Sequence, residues 1–212
     1  MIQIQGFVFN FASENTYILY NENKNAWLID PGNMSKEETE IIANFIQEKE
    51  LNIKKILLTH AHIDHILGLQ WASKKFKVPV LMHEDEKEIL DMFQISGLRF
   101  GLSLNHIYAD IEYISENDEL DLDGEKFRIY HVPGHSPGSL AYHNETQKFI
   151  ISGDVLFEGS VGRTDLFKGN YGQLIQSIKT KILILDPETK VFSGHGNPTT
   201  IGFEKENNPF FR

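Results

Sequence analysis

The chain has 212 residues, of which 41% are hydrophobic and 24% charged, and these proportions exclude wholesale disorder and suffice for a core. A net charge of −10 argues against a nucleic-acid partner, because a phosphate backbone binds basic surfaces. The absence of cysteine excludes disulfides, thiolate metal ligands and thiol nucleophiles.

Membrane and export signals are missing from the sequence pattern. No apolar run reaches the roughly 18 residues that a transmembrane helix requires. Residues 1–20 show neither a basic start nor an unbroken apolar stretch before a small-residue cleavage site. We therefore expect a cytoplasmic protein without a membrane partner. Because no linker-like tract interrupts the chain, we expect a single domain over residues 1–212.

The first half alternates apolar strand patterns with helical periodicity. Ser35 and Glu38 have the spacing of a capping box, and they precede a helix with an apolar face. The predicted strands are 25–29, 53–59 and 78–82, and the predicted helices are 36–49, a segment from about 64 that carries Leu67, Trp71 and Ala72, and about 84–93.

The second half begins with two predicted hairpins, 118–131 and 139–152, the first of which turns at Asp123-Gly124. A helix at about 171–184 and a strand at 190–193 follow. In each half, a strand that ends in Asp is followed by a helix and then by a strand that ends in His. This repetition predicts two related halves, about 1–105 and 106–212, and helices that cover sheets. Because ligand groups gather where strands end, these Asp and His residues indicate a site at a sheet edge.

The strongest chemical signal is the segment THAHIDH, residues 59–65. It contains three histidines and one aspartate within six residues at a predicted strand end. Such a cluster is costly to bury unless cations coordinate it. A surface cluster without metal is the alternative, and the specificity of the pattern makes it the weaker one.

Further candidate ligands follow other predicted strands, in HVPGHSPGS, FIISGD and SGHGNP. The complete predicted ligand set is His60, His62, Asp64, His65, His135, Asp154 and His195. Seven nitrogen and oxygen ligands exceed one tetrahedral zinc site but suit two divalent metals that share a carboxylate. Zn²⁺ is the expected ion, with iron or manganese as alternatives, because such ligands do not select sharply.

These motifs, preceded by LIDPG, resemble in order the five motifs of the metallo-β-lactamase superfamily, over residues from about 15 to 206. Within it, the chain is most similar to short proteins related to glyoxalase II (hydroxyacylglutathione hydrolase). The resemblance implies an α/β (α+β) fold, a four-layer αβ/βα sandwich of two facing mixed sheets with helices outside. Only 17 residues follow His195, so we expect no counterpart of the helical C-terminal domain of full-length glyoxalase II.

The resemblance also implies roles for the ligands and a reaction. His60, His62 and His135 would hold metal one, whereas Asp64, His65 and His195 would hold metal two. Asp154 would bridge the metals, and Asp64, as the catalytic residue, would also orient a metal-bridging hydroxide. The implied function is a metal-dependent hydrolase that cleaves a small-molecule thioester such as S-lactoylglutathione.

Two other functions remain open from the sequence. One is a persulfide dioxygenase-like oxidoreductase with one iron on His60, His135 and Asp154. The other is a metal-binding protein without turnover. Antibiotic hydrolysis is disfavoured by the missing export signal, and the ending GHGNPTTIGFEKENNPF resembles the short hydrolases.

Three further residues carry weaker expectations. Asp30 either supports a ligand or caps the turn at Pro31-Gly32. Tyr142 either donates a hydrogen bond to substrate or packs, and Arg163 either pairs with a substrate carboxylate or forms a loop salt bridge with Asp165. The apolar segment 92–104 either packs in the core or forms a lid or a homo-oligomer contact.

Overall fold

The computed structural model describes residues 1–212 and divides into two compact units, Met1–Tyr113 and Ile114–Arg212. Each unit contains a six-stranded mixed sheet with helices. The predicted α+β class, with two mixed sheets and helices, is confirmed. No helix has both the length and the apolar character that a membrane crossing requires.

The sheet of the first unit follows chain order from one edge to the other. Its strands are β1 (Gln3–Phe9), β2 (Glu14–Tyr20), β3 (Asn25–Ile29), β4 (Asn52–Leu57), β5 (Val80–Met82) and β6 (Ile111–Tyr113). The first three strands pair antiparallel, and β3 to β6 pair parallel. The parallel strands therefore end at a common edge, where polar side chains from different loops can meet.

The helices of the first unit are α1 (Lys36–Glu48), α2 (Ile63–Ile66), α3 (Leu69–Phe76), α4 (Lys87–Asp91) and α5 (Phe93–Arg99), with a 3₁₀ turn at Glu84–Glu86 before α4. The predicted capping box is present, because the Ser35 side chain accepts from Glu38 N and the Glu38 side chain accepts from Ser35 N. Ile42 and Ile46 of α1 pack with the sheet and with Ile66, Leu69 and Ala72 in one core.

The structure corrects the single helix predicted from about residue 64, which is broken at Gly68 into α2 and α3. Gly68 N donates a hydrogen bond of 2.8 Å to Pro31 O, so the break is tied to the turn that follows β3. A Cβ atom at this position would lie 2.0 Å from Asn33 Oδ1. The helix predicted at about 84–93 is likewise divided between the 3₁₀ turn, α4 and α5.

The second unit contains the other mixed sheet and a small two-stranded ribbon. The sheet strands are β7 (Glu119–Leu122), β8 (Glu125–His131), β9 (Leu140–Asn144), β10 (Phe149–Gly153), β13 (Lys190–Ser193) and β14 (Thr199–Thr200); the ribbon strands are β11 (Leu156–Phe157) and β12 (Ser160–Val161). Both predicted hairpins are present, β7–β8 and β9–β10. Strands β10 and β13 pair parallel, so Asp154 and His195 follow neighbouring strand ends.

The helices of the second unit are α6 (Tyr171–Ser177), which continues as a π-helical turn at Ile178–Ile182, and α7 (Ile201–Asn207). Leu174, Ile178 and Ile182 repeat with helical spacing and are fully buried against residues of the sheet such as Ile150 and Val191. The predicted helix at 171–184 is therefore present, with its last turn widened.

Candidate metal centre

Asp30 organises the ligand loops of the first unit. It follows β3 in the left-handed region (φ 48°) and is 1% exposed. Its Oδ1 accepts from Thr59 N at 2.7 Å, and its Oδ2 accepts from Thr59 Oγ1 at 2.6 Å. The same Oδ2 lies 3.0 Å from His65 Nδ1. A buried residue in this strained conformation is held there by the contacts around it.

These contacts decide which nitrogen of each imidazole carries the proton. Asp30 accepts at Oδ2, so the His65 proton is assigned to Nδ1 and the lone pair to Nε2. The Thr59 hydroxyl gives its one proton to Asp30, so at 3.0 Å from His60 Nδ1 it accepts a hydrogen bond from that nitrogen. Both histidines thus carry the lone pair at Nε2, the atom that a metal would take. His65 is supported by a carboxylate directly, and His60 is supported through the Thr59 hydroxyl group.

The three candidate histidines of the first unit lie close together. The ring centroids of His60 and His62 are 4.8 Å apart, and those of His60 and His65 are 4.1 Å apart. Asp64 Oδ2 lies 3.8 Å from His65 Nε2. The ligand atoms of Asp30, His60 and His65 also fall within 4.8 Å of one another. Since the Asp30 oxygens accept three hydrogen bonds, we assign Asp30 a supporting role.

Backbone contacts fix the segment that carries these ligands. Glu86 is fully buried, and its Oε2 accepts from Ala61 N at 2.7 Å, between His60 and His62. Asn10 Nδ2 donates to Asp64 O at 2.8 Å and to Gly32 O at 2.9 Å. Sequence reasoning missed Asn10, Thr59 and Glu86. Only Thr59 had a signal, since it is the first residue of the THAHIDH motif.

Glu14 is a second buried acid that the sequence did not single out. It is the first residue of β2 and fully buried, and its Oε1 lies 3.8 Å from His65 Nδ1. Burial raises the pKa of the Glu14 carboxyl group well above its usual value. Its Oε2 lies 2.9 Å from Thr16 Oγ1.

In the second unit, two histidines converge on one carboxylate. Asp154 Oδ2 lies 3.6 Å from His135 Nε2 and 3.4 Å from His195 Nε2. Two ligand atoms about 2.0–2.1 Å from a tetrahedral zinc ion lie about 3.4 Å apart. Each of these two separations therefore fits a pair of donor atoms that bind one cation. His135 Nδ1 lies 2.8 Å from Arg163 O, and a carbonyl oxygen can only accept a hydrogen bond. The proton of His135 is therefore assigned to Nδ1 and its lone pair to Nε2.

Tyr142 and Arg163 make local contacts in the structure. Tyr142 is fully buried in β9. Arg163 pairs with Asp165 through two hydrogen bonds, at 2.7 and 2.8 Å. These hydrogen bonds lower the pKa of Asp165 to about 2. The Arg163 carbonyl, rather than its guanidinium group, contacts a candidate ligand.

Gly134, directly before His135, cannot accept a side chain. Its φ is +135°, and a Cβ atom there would lie 2.2 Å from Leu174 N. We expect Gly134→Ala to lower the free energy of unfolding by about 3 kcal/mol, because left-handed strain and overpacking add. Urea denaturation measures this loss.

Gly159→Ala is the matched control for this prediction. Gly159 also has a positive φ, of +67°, but no atom within 4 Å of the added carbon. We expect it to cost about 1–2 kcal/mol, the conformational strain alone. Equal losses in the two variants would contradict the crowding argument at Gly134.

Comparisons with known proteins identify the family of the chain. Residues 10–195 match the family model described as the metallo-beta-lactamase superfamily. The hydroxyacylglutathione hydrolase GloC of Haemophilus influenzae is 39% identical over 93% of this chain and 92% of its own length.

Two solved structures have the same fold over nearly their whole length. The BLEG-1 B3 metallo-beta-lactamase has a TM-score of 0.90 and 36% identity, with 99% of each chain covered. TTHA1623, solved in a di-iron-bound form, has a TM-score of 0.87 and 33% identity, over 97% of this chain and 99% of its own. With the family model, the sequence identity and the fold in agreement, the chain belongs to the metallo-beta-lactamase superfamily.

Proposed function

We propose that the protein is a dinuclear metallohydrolase that cleaves a thioester such as S-lactoylglutathione. The observation that carries this proposal is the fixed orientation of the imidazoles: hydrogen bonds at Nδ1 of His60, His65 and His135 leave Nε2 of each as the ligand atom. The 39% identity to a hydroxyacylglutathione hydrolase supports the choice of substrate class.

The proposed ligand set is the seven residues named from the sequence. We assign His60, His62 and His135 to metal one, Asp64, His65 and His195 to metal two, and Asp154 to both. Support comes from the superfamily motifs and from the local chemistry in each unit, where imidazole and carboxylate groups lie together. The metal is Zn²⁺ or Fe, since the donor set suits either and a relative at 33% identity holds two irons.

The side chains supply binding, charge and proton placement. When bound, a pair of divalent cations lowers the pKa of water to near 7 and polarises a carbonyl group. Asp64 is partly exposed, so its carboxylate can both ligate and accept a hydrogen bond from the attacking water. Asp30 and the Arg163 carbonyl hold the protons of His65 and His135 at Nδ1, which orients those rings with Nε2 as the candidate ligand atom.

Metal content is the first test of this function. We expect close to two divalent metals per chain in protein purified without added metal, because seven ligands exceed the needs of one ion. Elemental analysis measures the ratio, and chelation followed by readdition should abolish and restore activity. One iron per chain, unchanged after metal loading, would favour the dioxygenase.

The substrate assay separates the candidate reactions. We expect S-lactoylglutathione and simpler acyl thioesters to release free thiol without uptake of dissolved oxygen, because hydrolysis transfers no electrons. Glutathione persulfide should leave dissolved oxygen unchanged. A chromogenic β-lactam belongs in the same assay, because one structural relative is a B3 metallo-beta-lactamase.

Each of the other outcomes would indicate a different function. Oxygen uptake with the persulfide and no turnover of any thioester would replace the hydrolase with the oxidoreductase. Faster turnover of the β-lactam than of every thioester would reject the proposed substrate class. If the protein bound two metals but turned over none of the substrates, it would be a metal-binding protein without enzymatic activity.

A further inference from the structure

Glu14 is a buried acid for which the reaction proposed above has no use. Its side chain is fully buried, and its Oε1 accepts no hydrogen bond. Burying a carboxyl group with one oxygen unsatisfied costs free energy, because that oxygen loses its contact with water. Such a cost at the edge of a ligand cluster indicates a purpose other than stability.

The surroundings of Glu14 join it to the turn after β3. Gly32 packs so closely that a Cβ atom there would lie 1.9 Å from Glu14 Oε2 and 2.6 Å from Asp64 O. The Thr16 hydroxyl accepts from Gly32 N at 2.9 Å and lies 2.8 Å from Asp30 O. Through Thr16, Glu14 therefore contacts both ends of the Asp30-Pro31-Gly32 turn.

On its other side Glu14 faces a ligand. Oε1 lies 3.8 Å from His65 Nδ1, the nitrogen that Asp30 also contacts at 3.0 Å. The Nδ1 edge of the His65 imidazole thus faces both the Asp30 carboxylate and the Glu14 carboxyl group. A smaller side chain at position 14 would leave a void behind the turn and the ring, into which both could move.

We propose that Glu14 is a positioning residue for the second metal site, acting through Thr16 and the Asp30-Pro31-Gly32 turn to hold the imidazole of His65 in place. This inference rests on the proposed dinuclear function. In this role Glu14 acts through its shape and its hydrogen bonding. Glu14→Gln, which keeps the size and polarity of the side chain, should therefore preserve the function, whereas Glu14→Ala should not.

The test compares Glu14→Gln with Glu14→Ala by Co²⁺ titration of metal-free protein, in which visible absorption reports the ligand field of each equivalent. We expect Glu14→Ala to weaken the second equivalent by about tenfold or more, the scale of losing a residue that supports a metal ligand. The affinity of Glu14→Gln for the second Co²⁺ equivalent should stay within about twofold of wild type. The affinity for the first equivalent should be unchanged in both variants.

Thr16 supplies an independent pair of variants should Glu14→Ala not fold. Thr16→Val keeps the shape but removes the hydroxyl group, whereas Thr16→Ser keeps the hydroxyl. We expect the second equivalent to weaken in Thr16→Val and to be preserved in Thr16→Ser. Glu204→Ala is the matched control, since Glu204 is an equally buried acid whose contacts are Gly159, Thr199 and Asn208. It should lower the melting temperature and leave Co²⁺ binding unchanged.

The outcomes separate the role of Glu14 from the proposed function. The positioning role would be overturned if Glu14→Ala bound the second Co²⁺ equivalent as tightly as wild type. It would also be overturned if Glu14→Ala and Glu14→Gln lost the same affinity for that equivalent. Equal affinities in Thr16→Val and Thr16→Ser would also overturn it. Wild-type protein that binds a single equivalent would instead reject the dinuclear site itself.

Discussion

Replacing Asp64 by Asn should lower kcat with a thioester substrate by at least about a hundredfold, the scale of losing one preorganised electrostatic group. The substitution keeps the size of the side chain but removes a negative charge and the ligand strength of a carboxylate. The fold should survive, because Asn10 holds this segment through the Asp64 backbone carbonyl rather than through its side chain. Steady-state kinetics at saturating metal, with circular dichroism as the check on folding, measures the effect.

Glu37→Gln is the control for that experiment. Glu37 is an acid in the first turn of α1, as Asp64 is in the first turn of α2, but it belongs to no ligand cluster. We expect its activity to stay within about twofold of wild type, because an exposed charge at a helix start affects mainly local stability. Full activity in Asp64→Asn would show that Asp64 is not part of the reacting centre.

The elements with clear periodicity or turn chemistry were predictable from the sequence. The strands at Asn25–Ile29 and Lys190–Ser193 are apolar runs that end in Asp or Gly-His, and both lie where they were predicted. The hairpin turn is equally direct, because Asp123 and Gly124 both adopt positive φ, at 56° and 91°, as a two-residue turn requires.

Strands β1 and β2 were not predicted, and their composition explains why. In β1 an interior Gly6 weakens the strand pattern. In β2 the first three residues, Glu14, Asn15 and Thr16, are polar yet buried, so a hydrophobicity pattern reads them as a loop. Glu14 and Thr16 contact the turn after β3, and such long-range contacts leave no periodicity in the sequence.

The candidate ligands could be named from the sequence because imidazole and carboxylate groups at strand ends are chemically distinctive. Their supporting residues could not. Glu86 and Asn10 contact backbone groups of the ligand segment, at Ala61 N and Asp64 O. The type of a residue does not reveal which backbone group it will meet. The two alternatives for Asp30 were separated only by its distance to His65.

Asp30→Asn should lower both the affinity for the second metal and the turnover of thioester by at least about a hundredfold, the upper part of the range for supporting residues. An amide at this position cannot accept at both atoms. If its oxygen keeps the hydrogen bond from Thr59 N, its nitrogen faces His65 Nδ1 as a donor. The imidazole proton must then move to Nε2, where it blocks the ligand atom. The reverse orientation places two donors, the amide and Thr59 N, against each other.

The fold should tolerate Asp30→Asn, because Asn adopts the left-handed region that Asp30 occupies at φ 48°. Asp121→Asn is the control, since Asp121 also accepts a backbone hydrogen bond, from Gly124 N at 2.6 Å, but is exposed in a hairpin. ¹⁵N-detected NMR of the imidazoles reads the tautomer directly, and Co²⁺ titration reads the affinity. The prediction would be contradicted if Asp30→Asn kept the proton at Nδ1 of His65 and bound two metals as wild type does. Asp30 would then control neither the His65 tautomer nor the affinity for the second metal. The expected result, a tautomer reversed in a folded protein with a weakened second site, ties the loss of activity to one proton on one ring.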